Sequence, residues 1–377
     1  MNKKVIIIQP TISSKGGLER VIIAIAKHYN AIIYTADFDK DKTYPDFSNM
    51  NIKIIKYPKI INIFKFLPDK IFYGIKYSLI FMFLKIKEPY DIIIANASPS
   101  QWASFRNKNV IWYCHSPLRD VYDLYDYRQK TRTNLDKFYF KIFVKIFRFF
   151  DKIATKKCYK IITNSENVRK RIKHYFNRDA VVINPGIEYG KFINIGKDKY
   201  FLSVSRFVPN KRQNFIIDAF RNFEVLYDEN KEYKLILAGD VPKMNENIEY
   251  FNQLKKYAKG YNIEIKENIS DDELKELYGK STAFLFAGLD EDFGIVPLES
   301  MSAGKPVISV NEGGLKEYIL HGENGILVSN PDEMAYYMNF IKNRPFLYDE
   351  MSKKAQETAK EYDWDNFLKK LDEELNK

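Results

Sequence analysis

Short, nearly unbroken apolar runs alternate along the chain with longer stretches in which apolar residues recur every three or four positions. In the first half the runs are KVIIIQ (4–9), AIIYTA (31–36), NIKIIKY (51–57), DIIIANA (91–97), NVIWYC (109–114), KIITNS (160–165) and AVVINP (180–185). The second half repeats the pattern with YFLSVS (200–205), KLILAG (234–239), NIEIKE (262–267), STAFLF (281–286), PVISV (306–310) and GILVS (325–329). Such runs predict strands buried on both faces, as in parallel sheets, with the intervening helices as covering layers. Two series predict an α/β protein of two doubly wound, Rossmann-like parallel-sheet domains facing a cleft. The stretch NPGIEYGKFINIGKDK (184–199), rich in Gly, Pro and charge, marks the boundary. The expected domains are therefore 1–190 and 191–360, with a helix over 361–377 packing back on the first. In open α/β sheets ligands bind at the carboxyl ends of the strands, so the loops there hold the candidate residues.

A length of 377 residues suits two domains better than one core, and 45% hydrophobic content is that of a folded globular protein. Cys114 and Cys158 offer neither a disulfide framework nor a metal spacing, which fits a reducing compartment. The apolar run in MNKKVIIIQP is too short for a signal peptide, and YSLIFMFLKI, bounded by Lys76 and Lys85, is too short to span a bilayer. The expectation is a cytoplasmic protein without transmembrane helices. A net charge of +11 implies an anionic partner: nucleic acid, a membrane surface or a phosphorylated small molecule. Composition does not choose among them.

The loops narrow the choice. GLDEDFGIVPLES (288–300) reads as strand end, loop and helix start, with Glu291 and Glu299 at its mouth. Pro297 suits the first position of that helix and Gly304 its end. Unpartnered N–H groups and the dipole make a helix start an anion site. In QPTISSKGGLERVIIAIAKH, Gly16 and Gly17 precede an amphipathic helix from about residue 18, where backbone can approach a phosphate. The pair is not the G-x-G-x-x-G dinucleotide fingerprint, and alone it also describes a plain turn. WYCHSPLRDVYD places His115 after the fifth strand, where it can bond a sugar hydroxyl or phosphate, transfer a proton, or serve the structure alone. His28, His174 and His321 form no ligand cluster with it, so no metal site is expected. SVSRFVPNKRQNFIIDAF puts Arg206 and Lys211 on a turn leading into a helix. Two fixed cations there suit a departing diphosphate, although a solvated basic turn has the same pattern. The acidic triplet DED (290–292) is matched by DFD (37–39) and DWD (363–365) and lies late in the chain, so metal ligation by it is set aside.

Together these segments resemble the family 4 (group 1) glycosyltransferases of GT-B fold. KGGLER looks like the family's Gly-Gly-x-Glu turn and SRFVPNKR its Arg/Lys diphosphate clamp. EDFGIVPLE, continued by ESMSAGKPVIS, is similar to its signature of two spaced glutamates. The resemblance implies a nucleotide-sugar donor and a glycan or lipid-linked acceptor. Glu299 would bind the donor ribose, Glu291 hydroxyls of the transferred sugar, and the N–H groups of Phe293, Gly294, Ile295 and Val296 the sugar and diphosphate. Arg206 and Lys211 would neutralise the departing phosphates, Gly17 beside Gly16 would approach them, and His115 would contact the sugar. It also implies retention of anomeric configuration without a catalytic metal or other cofactor. YCHSPLRDVYD, RFFDKIATKKCYKIITNSENVRKRIKHYF and VPNKR look like the branch that uses GDP-mannose for surface polysaccharides. Ser116 stands where that branch usually has Thr, so GDP-mannose is a leaning and UDP-sugars stay open.

One segment has a different character. In LDKFYFKIFVKIFRFFDKIA (135–154), Lys137, Lys141, Lys145, Arg148 and Lys152 share one side of a helix, with Phe and Ile elsewhere; IFKFLPDKIFYGIKYSLIFMFLKIK (63–87) is similarly basic and aromatic. Peripheral docking on an anionic membrane is one reading, a long core helix with a single wet face the other. A sugar-nucleotide epimerase or phosphorylase on the same scaffold lacks its extra acid–base groups or cofactor lysine. RNA binding would leave the sugar-nucleotide features unexplained, and no nucleic-acid motif is present.

Overall fold

In the computed structural model, which describes residues 3–130, 132–227 and 231–377, a strand lies within or begins in every one of these apolar runs. The chain divides into two compact units, Met1–Asn184 with Leu368–Lys377, and Pro185–Phe367.

In the first unit the strands are β1 (Val5–Ile12), β2 (Ile32–Phe38), β3 (Ile52–Ile54), β4 (Ile92–Asn96), β5 (Val110–Cys114), β6 (Lys160–Thr163) and β7 (Val181–Val182). They form a 7-stranded sheet in the order β3-β2-β1-β4-β5-β6-β7, with parallel neighbours throughout. The chain turns back between β1 and β4, the switch point at which doubly wound sheets bind ligands. The covering helices are α1 (Gly17–Tyr29), α2 (Asp69–Phe83), α3 (Tyr125–Lys130), α4 (Asn134–Lys157) and α5 (Glu166–Phe176). α1 buries Val21, Ile22, Ile25 and Ala26 on the sheet and stops at Asn30, which takes the left-handed conformation (φ 49°). Thr133 caps α4 and Ser165 caps α5 by accepting the N–H three residues on.

The second unit holds β8 (Tyr200–Val204), β9 (Lys234–Gly239), β10 (Ile263–Glu267), β11 (Ala283–Phe286), β12 (Val307–Val310) and β13 (Gly325–Val328). Their order is β10-β9-β8-β11-β12-β13, again parallel, with the switch point between β8 and β11. The helices are α6 (Gln213–Leu226), α7 (Asn245–Tyr257), α8 (Asp271–Lys280), α9 (Ile295–Ser302), α10 (Pro331–Lys342) and α11 (Pro345–Glu361). One core, around Phe220, Phe223 and Met338, covers one face of the sheet; the other, around Tyr278, Leu298 and Met301, covers the opposite face. α12 (Trp364–Asn376) begins in this unit, and its residues from Leu368 belong to the first.

The structure revises one detail. Pro297 is the third residue of α9, not the first, because Gly294 (φ 86°) turns the chain into the helix earlier. The N–H that proline lacks is still among those with no acceptor in a first turn, so the helix loses nothing. Gly304 ends α9 as expected, at φ 66°, with its N–H on Met301 and that of Lys305 on Ser300.

Candidate active site

In the second unit the candidate residues sit on the loops that leave β8 and β11, the strands flanking its switch point. The loop after β8 carries Arg206 and Lys211. Lys211 Nζ donates to Glu291 Oε2 at 2.6 Å, with the two side chains only 14% and 18% exposed, and lies 5.2 Å from the Phe286 ring centroid. Arg206 stands exposed at the strand end, and among the described residues its side chain makes no hydrogen bond or ion pair with either member of that pair. β9 reaches this corner only because Gly239 has no side chain, since a Cβ there would lie 2.0 Å from the Ser205 carbonyl oxygen.

The loop 287–294 after β11 is held from several directions. Arg212, in the left-handed region at φ 49°, donates Nε to the Ala287 carbonyl (2.6 Å) and Nη2 to Glu312 (2.8 Å). The Leu289 N–H donates to the Asn210 carbonyl and the Gly314 N–H to that of Glu291, each at 2.8 Å. The Tyr318 hydroxyl donates to the Gly294 carbonyl at 2.7 Å. Gly313 (φ 64°) leaves no room for a Cβ, which would fall 2.3 Å from the Glu291 oxygen. These contacts aim the start of α9 and fix Glu291 against Lys211. Phe293 and Gly294 are buried, and Ile295 and Val296 are half-buried on the first turn. Glu299, one turn further, is 3% exposed and accepts the Tyr278 hydroxyl at 3.1 Å. Apart from Gly304, the turn between α9 and β12 carries Lys305, wholly buried, whose Nζ donates to Asn194 Oδ1 at 2.9 Å and to the Gly196 carbonyl; burial, with Lys197 nearby, lowers its pKa to about 8.

In the first unit a hydrogen-bonded row of side chains crosses the carboxyl ends of the strands. Gln9 Nε2 donates to the Thr11 carbonyl and its Oε1 accepts Asn96 Nδ2 at 2.8 Å. Asn96 Oδ1 lies 2.9 Å from His115 Nε2, and Asn164 Nδ2 donates to the His115 carbonyl at 3.0 Å. Since Asn96 turns its amide nitrogen toward Gln9, its oxygen faces the imidazole, so His115 Nε2 is the donor and Nδ1 carries the lone pair. Burial pulls the His115 pKa down to about 3, so the ring is neutral and presents an acceptor. Arg171 Nη1 donates to Ser116 Oγ at 3.0 Å, steadying the segment after His115. At the start of α1, Gly16 occupies the N-cap position and Gly17 the first helical one. Glu19 folds back with Ser14 Oγ on its Oε1 at 2.8 Å, and a Cβ on Gly16 would lie 2.9 Å from its Oε2. The glycine thus leaves room for the carboxylate that holds the loop.

The structure therefore joins Lys211 to Glu291, sets 293–296 at a helix start, places Glu299 beside Tyr278, and puts His115 and Gly16–Gly17 at the strand ends of the other unit. The residues that sequence reasoning passed over are among those that position these: Asn96, Arg212, Glu312, Gly313 and Tyr318; Glu19 was in view only as the acid of the Gly-Gly-x-Glu turn. A signal pointed to two of them, Glu312 and Gly313: the glycine pair in NEGGLKE (311–317) directly after β12, of the same kind as KGGLER.

Residues 15–190 match the family described as Glycosyltransferase Family 4, and residues 188–361 that described as Glycosyl transferases group 1. Among curated relatives, the chain is 27% identical to the alpha-1,3/1,6-mannosyltransferase ALG2 of Dictyostelium discoideum, over 88% of this chain and 87% of that protein. It is 31% identical to the O-antigen chain mannosyltransferase RfbU of Salmonella typhimurium over 61% of this chain and 62% of the relative. Among solved structures, Anabaena HepE in complex with UDP and glucose superposes with a TM-score of 0.72 at 18% identity, covering 99% of both chains. WaaG, a glycosyltransferase of lipopolysaccharide biosynthesis, superposes at 0.70 and 14% identity, over 97% of this chain and 98% of its own. With two parallel-sheet units of GT-B type and both family matches spanning 15–361 between them, the chain belongs to the group 1, family 4 glycosyltransferases.

Proposed function

We propose that this glycosyltransferase moves mannose from GDP-mannose to a glycan or lipid-linked acceptor, with retention of configuration and without a metal or other cofactor. The observation that carries the proposal is the Lys211–Glu291 pair set against the first turn of α9. As the glycosidic bond to the donor breaks, negative charge grows on the leaving diphosphate. Lys211, Arg206 and the first-turn N–H groups of Ile295 and Val296 would take up that charge, the service a divalent cation gives in other enzymes. The loop contacts hold these groups in place beforehand, so little reorganisation is left to the reaction itself. Glu291 would order Lys211 and accept from hydroxyls of the transferred sugar, and Glu299 would accept from the ribose. Neutral His115 would accept a sugar hydroxyl at Nδ1 rather than carry a proton. The leaning toward mannose draws on ALG2 and RfbU, which are mannosyltransferases by name. Peripheral contact with a membrane belongs to the same reading, because a lipid-linked acceptor is reached at the bilayer surface.

The test is nucleoside diphosphate release from a panel of GDP- and UDP-sugars with excess chelator present. GDP release from GDP-mannose is expected, with an α-linked product by NMR. Release from UDP-sugars alone would refute the donor, activity restored only by magnesium the metal independence, and an inverted product the retention.

A further inference from the structure

α4 has two apolar faces, and the unit's own core covers one of them. Phe140, Phe143, Val144, Phe147 and Ala154 are buried. At about 100° per residue, Leu135, Phe138, Ile142, Ile146 and Phe149 form a second stripe on the far side, about 21 Å long, whose members are 44–66% exposed. The row Lys137, Lys141, Lys145, Arg148 and Lys152 runs between the two faces. Arg148 is turned inward, donating to the Val121 carbonyl at 2.9 Å and lying over the Tyr122 and Tyr125 rings, whereas Lys141, Lys145 and Lys152 are exposed. The helical turns at 59–66 add Ile60, Ile63 and Phe66, 67–75% exposed, beside exposed Lys59 and Lys65. Phe66 and Leu67 line the same shallow depression as Leu135 and Tyr139, so the two apolar surfaces join there. Of the two acids at that junction, Asp136 is paired with Arg132 at 2.8 Å and Asp69 lies in the first turn of α2.

We propose that this face of the first unit docks on an anionic lipid bilayer. α4 lies in the plane of the interface, its outer stripe below the headgroups and Lys141, Lys145 and Lys152 among the lipid phosphates. Exposed apolar clusters of this extent on a soluble domain mark a docking surface. The charge beside it selects the occupant, for protein interfaces are depleted in lysine, and a second copy of this chain would bring its own net charge of +11 against the same row. The inference gives the lipid-linked-acceptor reading its surface, yet its test needs neither donor nor acceptor.

The experiment is flotation with vesicles of phosphatidylcholine alone or mixed with phosphatidylglycerol, at low and high salt. The wild-type chain is expected to float only with the mixed vesicles, and less as salt rises. Phe138→Gln with Phe149→Gln, and separately Lys141→Gln with Lys145→Gln, should each lower partitioning about tenfold or more. These positions are exposed, so an unchanged circular dichroism spectrum is expected. Absence of wild-type flotation would overturn the proposal. So would unchanged flotation of the Phe pair, or a dimer in solution that the Phe pair abolishes. Loss of glycosyl transfer with vesicle binding intact would count against the proposed function alone.

Discussion

Lys211 and Glu291 meet across 2.6 Å although they lie on loops leaving different strands, β8 and β11, and both are shielded from solvent. Shielding strengthens the attraction and raises what is lost when one charge is removed. Lys211→Ala is expected to slow donor turnover about 10²–10³-fold, the usual cost of losing one preorganised charge stabiliser. It should also lower unfolding free energy by about 1.5–3 kcal/mol. Steady-state kinetics with urea unfolding on the same protein checks both, and wild-type turnover in the variant would remove Lys211 from the site.

Glu299 and Tyr278 allow binding to be separated from chemistry. Glu299→Ala should raise the donor KM by about 10–100-fold with a smaller change in kcat, as expected when a charged hydrogen bond to substrate is lost. Tyr278→Phe removes only the hydroxyl that Glu299 accepts, and its KM should rise less than tenfold. Equal effects of both substitutions on kcat alone would contradict a ribose contact.

Gly313 tests the clamp on the 287–294 loop. Gly313→Ala places a methyl group 2.3 Å from the Glu291 oxygen and keeps a positive φ that alanine avoids. A loss of about 1–3 kcal/mol in stability is expected, together with weaker donor binding measured by calorimetry. Gly322, also at positive φ but open to space, should lose no donor affinity when changed to alanine.

The pH dependence of folding has a defined sign in the first unit. His115 titrates near 3 when folded and near 6.5 when unfolded, so its contribution is complete above about pH 6.5 and is lost as pH falls toward 3. Asp151 is fully buried, accepting Gln101 Nε2, Trp102 Nε1 and the Tyr122 hydroxyl at 2.7–2.8 Å. Burial raises its pKa to about 6, so its contribution is present below about pH 4 and is lost as pH rises through 6. The two oppose each other between pH 4 and 6. Subtracting the unfolding free energies of His115→Gln from those of wild type should leave a difference that shrinks by at most about 1.4 kcal/mol per unit as pH falls below 6.5. A difference that does not vary with pH would mean that the imidazole takes up its proton as readily in the folded protein as in the unfolded chain.

How far the sequence revealed this molecule depends on whether each feature is local. Buried parallel strands must be apolar throughout, so runs such as VIII in β1 and IIIA in β4 announce themselves. The start of α9 was legible to within two residues, and the displacement traces to Gly294, whose backbone angle no composition rule reports. Lys76 reads along the chain as one more surface charge. In the fold it is 6% exposed, bonded to Asp37 at 2.8–3.0 Å and flanked by the rings of Tyr57, Tyr73 and Tyr77. An ion pair between distant segments leaves no periodic trace. For the same reason Glu291 stood out by its motif while Arg212, Glu312 and Tyr318, which aim its loop, did not. The outer stripe of α4 was in view as a row of Phe and Ile, but periodicity does not tell which of two apolar faces the core will cover.

The division of α12 reaches into how the molecule can be handled. Lys160 Nζ bonds Glu374 at 3.1 Å, His28 bonds Asp372 at 3.0–3.1 Å, and Lys3 reaches the Leu375 carbonyl. The chain thus leaves the first unit after Asn184 and returns to finish it with its last ten residues. No single proteolytic cut or gene truncation can release that unit whole. A fragment stopping at the obvious boundary would lack its closing helix and expose the apolar groove where Leu371 and Leu375 belong.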